Sequence, residues 1–350
     1  MKHGKTQDRA TILVTGASGV MGRALIDELA HDYDLICLRH RTPLDDPRVR
    51  EVAGDLSRPD LGMAASDLRL LTDRVDIVLN NGATTKWTAD TGEVTAVNIG
   101  GARNVLAFAE RAEAPLYHMS TAFVARAEEC ASAESGPAAY VASKAEAEHM
   151  VRDSGIPSVI LRPSVVVGDS RDGHIAAFQG IHMMSGAILR NALPVVPADA
   201  GSHIDFVPQD LVTTAVRRLL DGGVREGDYW LTAGREALLL TEVVDNTLAV
   251  AEWLGLDVHP PRMVPLEALD RLLLPLLEDV MPPGLRKRFR AFAQMMLFFQ
   301  DAEPFPSDLG RLGLAHAATR ETLDKAFTQH NLYWAEANGL TEETRQAVAS

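Results

Sequence analysis

Thr11-Ile-Leu-Val-Thr15-Gly16-Ala-Ser18-Gly19-Val20-Met21-Gly22 is the stretch that decides the fold of this chain. Its first five residues, apolar and β-branched, read as a short buried strand. Glycines follow at 16, 19 and 22, and a helical pattern runs from about Arg23 to Ala30. A strand, a glycine turn and a helix in that order let the backbone turn tightly and approach a pyrophosphate. The amides at the helix N-terminus then stabilise its charge. The stretch predicts the first unit of a dinucleotide-binding sheet.

Outward from it, apolar runs alternate with helical patterns, as in a doubly wound parallel α/β sheet. The second strand, Asp34 to Leu38, ends in Arg39-His-Arg41. An NAD enzyme usually places a carboxylate there for the ribose hydroxyls, whereas a cation accommodates the extra phosphate of NADP. Arg39 and Arg41 with no acid favour NADP; the alternative is a solvated arginine-rich loop. Glu51-Val-Ala-Gly-Asp55-Leu56 reads as a third strand, with Asp55 either accepting the adenine amino group or capping a turn. Val75 to Leu79 reads as a buried strand, and Asn80-Asn81-Gly82-Ala83 at its end suits close backbone contact with a cofactor.

Thr91 to Ala112 carries a long helical pattern containing Asn98. Pro115 to Met119 then forms a fifth strand, and Ser120-Thr121 directly after it faces the crevice where open α/β sheets bind ligands. Tyr140-Val-Ala-Ser-Lys144 comes next, with the phenol and ammonium four residues apart on one helix face. An ammonium near the phenol favours its ionised form, which suits a proton donor. That helix runs to about Asp153, and Ile156 to Leu161 is a sixth strand with Pro163 and Ser164 beyond it.

Composition narrows the class. The 350 residues are 46% hydrophobic, enough for a large core, and a net charge of -14 argues against a nucleic-acid surface. Cys37 and Cys130 form no disulfide framework and fit a reducing cytoplasm. Residues 1 to 10 lack the apolar core of a signal peptide, no stretch approaches the ~18 apolar residues of a transmembrane segment, and the histidines show no metal-ligand spacing. No metal site is expected, and the oligomeric state stays open.

The chain resembles the extended short-chain dehydrogenase/reductase family through Thr15-Gly-Ala-Ser-Gly-Val-Met-Gly22, Gly54-Asp55-Leu56, Asn98, Ser120-Thr121, Tyr140-x-x-x-Lys144 and Arg162-Pro163-Ser164, all in the family's order. Ser120-Thr-Ala-Phe-Val, Arg162-Pro-Ser-Val165-Val-Val-Gly-Asp-Ser-Arg-Asp-Gly173 and His203-Ile-Asp-Phe-Val-Pro208 look like its branch of fatty acyl-CoA reductases and thioester reductase domains. The resemblance implies that Tyr140 is the acid, that Lys144 binds the nicotinamide ribose, and that Thr121 or Ser120 hydrogen-bonds the substrate carbonyl. It implies cofactor contacts from Gly16, Ser18, Gly19, Val20, Met21, Gly22, Asp55, Leu56, Asn81, Gly82, Ala83, Asn98, Pro163, Ser164 and Val165, with Arg39 or Arg41 on the 2′-phosphate of NADP. The implied activity is NADPH-dependent reduction of an acyl thioester, as a CoA ester or on a carrier protein, to aldehyde or alcohol. Related domains often follow adenylation and carrier modules, for which this chain has no room, so a stand-alone enzyme is expected.

The expected organisation is a Rossmann domain over 10–235 and a smaller, mostly helical substrate lobe over 236–350 that also takes parts of 170–205. Gly168 to Gly173 reads as a polar, flexible loop, 174–190 as a helix, and Pro208 as an early residue of a helix reaching about Leu220. Thr241 starts a helix to about Leu254. Leu285 to Gln300 sets Arg286, Lys287, Arg288 and Arg290 against six large apolar side chains, reading as a core or lid helix, an acyl-chain contact or a membrane surface. The rival functions are a nucleotide-sugar epimerase or dehydratase, a ketone or hydroxysteroid reductase, and a non-catalytic cofactor sensor.

Overall fold

The computed structural model describes residues 9–85, 91–130, 136–178, 180–198, 201–265, 298–301 and 303–341. Two units emerge, residues 1–163 with 212–231, and residues 164–211 with 232–350.

The first unit is a seven-stranded, all-parallel sheet. Its strands are β1 (Thr11–Thr15), β2 (Asp34–Arg39), β3 (Arg50–Ala53), β4 (Ile77–Asn80), β5 (Leu116–Met119), β6 (Ser158–Pro163) and, last in the chain, β11 (Gly227–Leu231). They lie in the order β11-β6-β5-β4-β1-β2-β3. The order reverses at β1 and β4, which makes the carboxyl ends of those two strands the topological switch point where such sheets bind ligands. β1 and β5 are buried along their whole length, the pattern of strands covered on both faces.

Helices α1 (Val20–Leu29), α2 (Ala65–Thr72), α3 (Thr91–Val94), α4 (Gly101–Ala112), α5 (Ala127–Cys130) and α6 (Gly136–Asp153) belong to this unit. The core set between α4 and the sheet includes Leu13, Val78, Val105, Phe108 and Leu116. α1 starts earlier than the pattern from Arg23 indicates, because Val20 to Gly22 already turn as helix. The long pattern from Thr91 is three segments, with a π-helical stretch over Thr95–Gly100 between α3 and α4. π-Bulges of this kind often mark functional sites, and Asn98 lies in this one.

The second unit holds β7 (Val165–Val167), α7 (Ile181–Leu189), β8 (Val195–Pro197), β9 (His203–Ile204), β10 (Phe206–Pro208), β12 (Leu238–Leu239), α9 (Leu240–Trp253), β13 (Arg262–Val264), β14 (Gln300–Asp301) and α10 (Arg320–Ala337). Helix α8 (Gln209–Asp221) leads out of it into the first unit. α7, α9 and α10 share a core of Leu189, Val250, Ala251, Trp334 and Ala335. Small strand pairs accompany them: β7 with β10, β8 with β13, and β9 with β12 and β14. Single-sequence patterns do not show such two- and three-residue strands, because alternation needs more length to register.

Two local expectations are corrected here. Pro208 closes β10, opposite Val167 of β7, and does not sit inside the following helix. Gly168 to Gly173 is a fastened turn: the Gly173 amide donates to the Asp169 carbonyl at 2.8 Å, and Arg171 Nη2 reaches Asp169 Oδ2 at 2.7 Å. Asp210 adds an anchor by accepting from the Ser170 amide and hydroxyl at 2.9 and 2.6 Å. Most of the expected core or lid helix over Leu285 to Gln300 lies outside the described residues, which include Phe298, Phe299 and Gln300, all buried. No described helix is long and apolar enough to cross a membrane.

Candidate active site

The glycine turn is shaped by contact. Gly16 has a φ of +67°, and a Cβ there would lie 2.7 Å from the Asn81 carbonyl and the Gly82 Cα. At Gly22 it would lie 2.2 Å from the Gly16 oxygen. Only hydrogens fit at these two points, so α1 presses directly on the turn. Gly19 is the N-cap of α1 and supplies no side-chain hydrogen bond, which leaves to an anion the first-turn amides that a helix cannot satisfy internally. Ser18 and Gly19 are exposed, while Val20 and Met21 are half-buried. A backbone cradle that any side chain would fill fits the pyrophosphate of a dinucleotide.

A chain of polar contacts joins the turn to the middle of the sheet. Thr15 Oγ1 donates to Asn80 Oδ1 at 2.6 Å and accepts from the Gly82 amide at 3.0 Å, and Asn81 Nδ2 donates to the Gly16 carbonyl at 3.2 Å. Asn80 Nδ2 lies 3.1 Å from His118 Nδ1. Burial first, and the Lys144 charge second, hold His118 well below the usual histidine range. The ring is therefore neutral, with Nδ1 as the acceptor and the proton on Nε2.

The expected adenosine contacts divide. Arg39 at the end of β2 forms an ion pair with Glu51, Nε to Oε2 at 3.2 Å. Arg41 is exposed and without a partner among the described residues. Asp55 Oδ1 accepts from the Ser57 amide and hydroxyl at 3.0 and 2.7 Å, the turn cap that was one of its two readings. Those bonds hold its carboxyl below the ordinary value, although burial opposes them. Its other oxygen faces His40 and Arg58, each at 3.7 Å. Leu56 is half-buried, and its carbonyl accepts from Asn104 Nδ2 at 2.9 Å. Ala83 is half-buried beside Gly82.

Asn98 has its amide spent inside the protein. Oδ1 accepts from the Thr84 amide at 2.8 Å, while Nδ2 reaches the Thr84 carbonyl at 3.2 Å and Ser143 Oγ at 2.9 Å. It ties the segment after β4 to α6 one residue before Lys144.

Ser120 and Thr121 follow β5, both 5% exposed, yet they face different partners. The Thr121 side chain hydrogen-bonds Tyr140, while the Ser120 hydroxyl lies beside Glu148, where its Oγ lacks a partner of good hydrogen-bond geometry. Tyr140 is half-buried, and burial pushes its phenol up to about 12 against the opposing effect of Thr121. The spacing predicts an ammonium at the phenol, but Lys144 Nζ donates instead to the Met119 carbonyl at 2.7 Å. An ammonium only 3% exposed needs such an acceptor. Burial pulls Lys144 down to about 8, with Glu148 acting in the opposite direction.

Glu148, missed in the sequence, is bound at both oxygens. Arg162 donates to Oε1 and Oε2 at 2.9 and 2.7 Å, and Arg152 to Oε2 at 2.7 Å. Asp228 completes the group, its Oδ2 lying 2.8 Å from Arg152 and 2.6 Å from Arg162. The signal was present, since Glu148 stands four residues after Lys144 and eight after Tyr140 on one helix face.

Pro163 ends β6. In the second unit the Val165 amide donates to the Asp205 carbonyl at 3.2 Å. Burial pushes the Asp205 carboxyl up to about 6, against Ser164 and the amides of Ala233 and Gly234 at 2.9 and 2.8 Å. Cys37 is buried in β2, and burial raises its thiol to about 12. No group of acidic, histidine and cysteine side chains among the described residues is arranged to hold a metal ion.

A glycine cradle at the switch point of a parallel sheet, followed by a Thr–Tyr–Lys site at the next strand end, defines an NAD(P)-dependent oxidoreductase of the extended short-chain dehydrogenase/reductase type. A family model described as male sterility protein, an NAD-binding family, matches residues 33–216, and the chain belongs to that family. The highly reducing polyketide synthase calA of Penicillium decumbens is 28% identical over 239 residues, covering 59% of this chain. The chain spans only 8% of that synthase's length. Among solved structures, the terminal R domain from the myxalamid PKS-NRPS biosynthetic pathway matches with a TM-score of 0.73 and 22% identity, over 97% of this chain and 93% of that one. The R domain of a nonribosomal peptide synthetase from Mycobacterium tuberculosis matches at 0.69 and 21%, over 97% and 94%. At such identities the two structures attest the fold.

Proposed function

We propose that this chain reduces an acyl thioester, presented on a carrier protein or as a CoA ester, to an aldehyde or alcohol with NADPH as reductant. The reading is carried by the Thr121–Tyr140 hydrogen bond beside the buried Lys144. It is supported by the naming of the relatives as polyketide and peptide synthetases and their R domains. The glycine cradle would hold the pyrophosphate, with Asn81, Gly82 and Ala83 beside it and the Pro163 backbone at the nicotinamide carboxamide. Arg41 is the cation for the 2′-phosphate, since Arg39 is engaged with Glu51.

When bound, NADPH supplies a hydride from C4 of the nicotinamide. As charge grows on the thioester oxygen, Thr121 and Tyr140 donate hydrogen bonds to it. A phenol raised to about 12 is protonated at neutral pH, the form that can give its proton to the oxygen. Lys144 holds the ribose and offsets the phenolate left behind. The Ser120 hydroxyl beside Glu148 supports the reading that Thr121 makes the substrate hydrogen bond. Collapse of the hemithioacetal expels the thiol and leaves the aldehyde.

The test is NADPH absorbance with a panel of acyl-CoAs, carrier-bound acyl groups, nucleotide sugars and ketones. Thioester-dependent oxidation is expected, with Tyr140→Phe lowering kcat by on the order of 10²–10⁴. Turnover of a sugar nucleotide or ketone with none of any thioester would overturn the assignment. Full activity in Tyr140→Phe would overturn the mechanism.

A further inference from the structure

We propose that Glu148 is a positioning residue that keeps Lys144 charged, holding a buried carboxylate one helical turn beyond it through a clamp of Arg162, Arg152 and Asp228. This rests on the reading of Lys144 as the cation of the reductive site, and it concerns a carboxylate for which that reading has no use.

The geometry is specific. Glu148 is 2% exposed, yet it makes three hydrogen bonds to two guanidiniums. Arg162 is itself 5% exposed and stacks over the Trp230 ring with 4.7 Å to the centroid, so its fork is held from behind. The two carboxylates, Glu148 and Asp228, balance the two arginines, and the group as a whole carries no net charge. Bound at both oxygens, Glu148 is kept ionised despite its burial. That fixed carboxylate stands on α6 four residues after Lys144, one helical turn away on the same face.

Around Lys144, α6 contributes Tyr140 and Glu148, β5 contributes His118, and β6 contributes Arg162 behind the glutamate. His118 is neutral and Tyr140 protonated, so Glu148 is the anion among them. Burial already takes Lys144 down to about 8, close enough to neutrality that losing an opposing anion would discharge it. A discharged Lys144 would no longer bind the ribose hydroxyls as a cation or offset the phenolate. Glu148 also faces Ser120, so the carboxylate that sustains Lys144 lies beside the hydroxyl that Thr121 leaves out of the reaction.

The chain has six lysines, so selective ¹³Cε-lysine labelling resolves each ammonium, and the Lys144→Arg spectrum assigns its signal. Titration of the full chain is expected to give Lys144 a midpoint near 8. Glu148→Gln should lower it by more than about one unit, the effect of removing a nearby opposite charge, while Glu148→Asp should leave it near the wild-type value. Because Glu148→Gln strands Arg162, the double variant E148M/R162M removes both partners together and leaves Arg152 with Asp228. Because a cation leaves together with the anion, it should lower the Lys144 midpoint by less than Glu148→Gln does. The alkaline limb of kcat/KM should move with the midpoint. A folded Glu148→Gln protein whose Lys144 titrates as in the wild type, or an E148M/R162M protein whose Lys144 midpoint falls as far as in Glu148→Gln, would overturn the proposal. The titration needs no substrate, so a failure to reduce any thioester would bear on the reductase reading alone.

Discussion

Gly22→Ala sets two effects of opposite sign against each other. Gly22 lies in the first turn of α1, where alanine ordinarily gains ~1 kcal/mol over glycine. Here the added Cβ would stand 2.2 Å from the Gly16 oxygen and 2.6 Å from the carbonyl carbon and Cα of Ala17. All three are backbone atoms and cannot swing aside. Since carbon atoms reach their best separation at about 3.5–4.0 Å, α1 must withdraw by roughly 1 Å. Leu25, Ile26 and Leu29, buried on its inner face, would withdraw with it. Overpacking of this kind costs about 1–3 kcal/mol, so the propensity gain is cancelled and the net result is a loss of up to about 2 kcal/mol. Urea unfolding followed by far-UV circular dichroism measures this, with Gly100→Ala as the control. At Gly100, which has helical dihedrals, the nearest atom to the added Cβ is the Thr95 oxygen at 3.8 Å, so that variant should match or exceed the wild type. The same shift distorts the cradle, and NADPH affinity measured by calorimetry should fall at least about tenfold, or 1.4 kcal/mol. A Gly22→Ala protein as stable as Gly100→Ala and binding NADPH like the wild type would refute the reasoning.

Thr121→Val should lower kcat by about 10²-fold or more with a thioester substrate, the loss expected for one donor to a developing oxyanion, whereas Ser120→Ala should retain most activity. Equal losses would refute the division of the two hydroxyls. Arg41→Ala should raise KM for NADPH at least about tenfold, the loss of one charge-assisted phosphate contact, and leave KM for NADH unchanged; steady-state kinetics with both cofactors decide it. His118 and His330 are both buried and held well below 6.5, so each takes up a proton on unfolding. The stability they confer is complete above 6.5 and falls below it by about 1.4 kcal/mol per pH unit for each ring. Asp205, raised from 3.8 to about 6, has the opposite sign and offsets one histidine between those values. Urea midpoints should therefore fall most steeply just below 6.5 and less steeply below 6, and His330→Phe should roughly halve the upper slope. A stability unchanged between about pH 7.5 and 5.5 would contradict neutral buried histidines.

Much of the fold is legible because its signals are local. An apolar run such as Val75 to Leu79 is buried wherever a parallel sheet places it, and strand alternation and turn chemistry span only a few residues. Boundaries drift where neighbours intervene: Gly19 to Gly22 reads as a turn, but close packing lets α1 begin inside it. The small strands of the second unit are set by pairing across long separations. His203 meets both Leu239 and Asp301, and no periodicity in a two-residue strand announces that.

By itself the sequence determined the strand–glycine turn–helix unit, the parallel character of the sheet, and the presence of Ser120, Thr121, Tyr140 and Lys144 near one sheet edge. Spacing is a property of the chain, and it survives folding. Only the tertiary structure decided which groups each of these meets. Arg39 is taken by Glu51, Lys144 by the Met119 carbonyl, Asn98 by Thr84 and Ser143, and Glu148 by Arg162. Those choices are made by burial, because a polar group removed from water must find its partner among whatever elements pack beside it, and those elements come from distant parts of the chain.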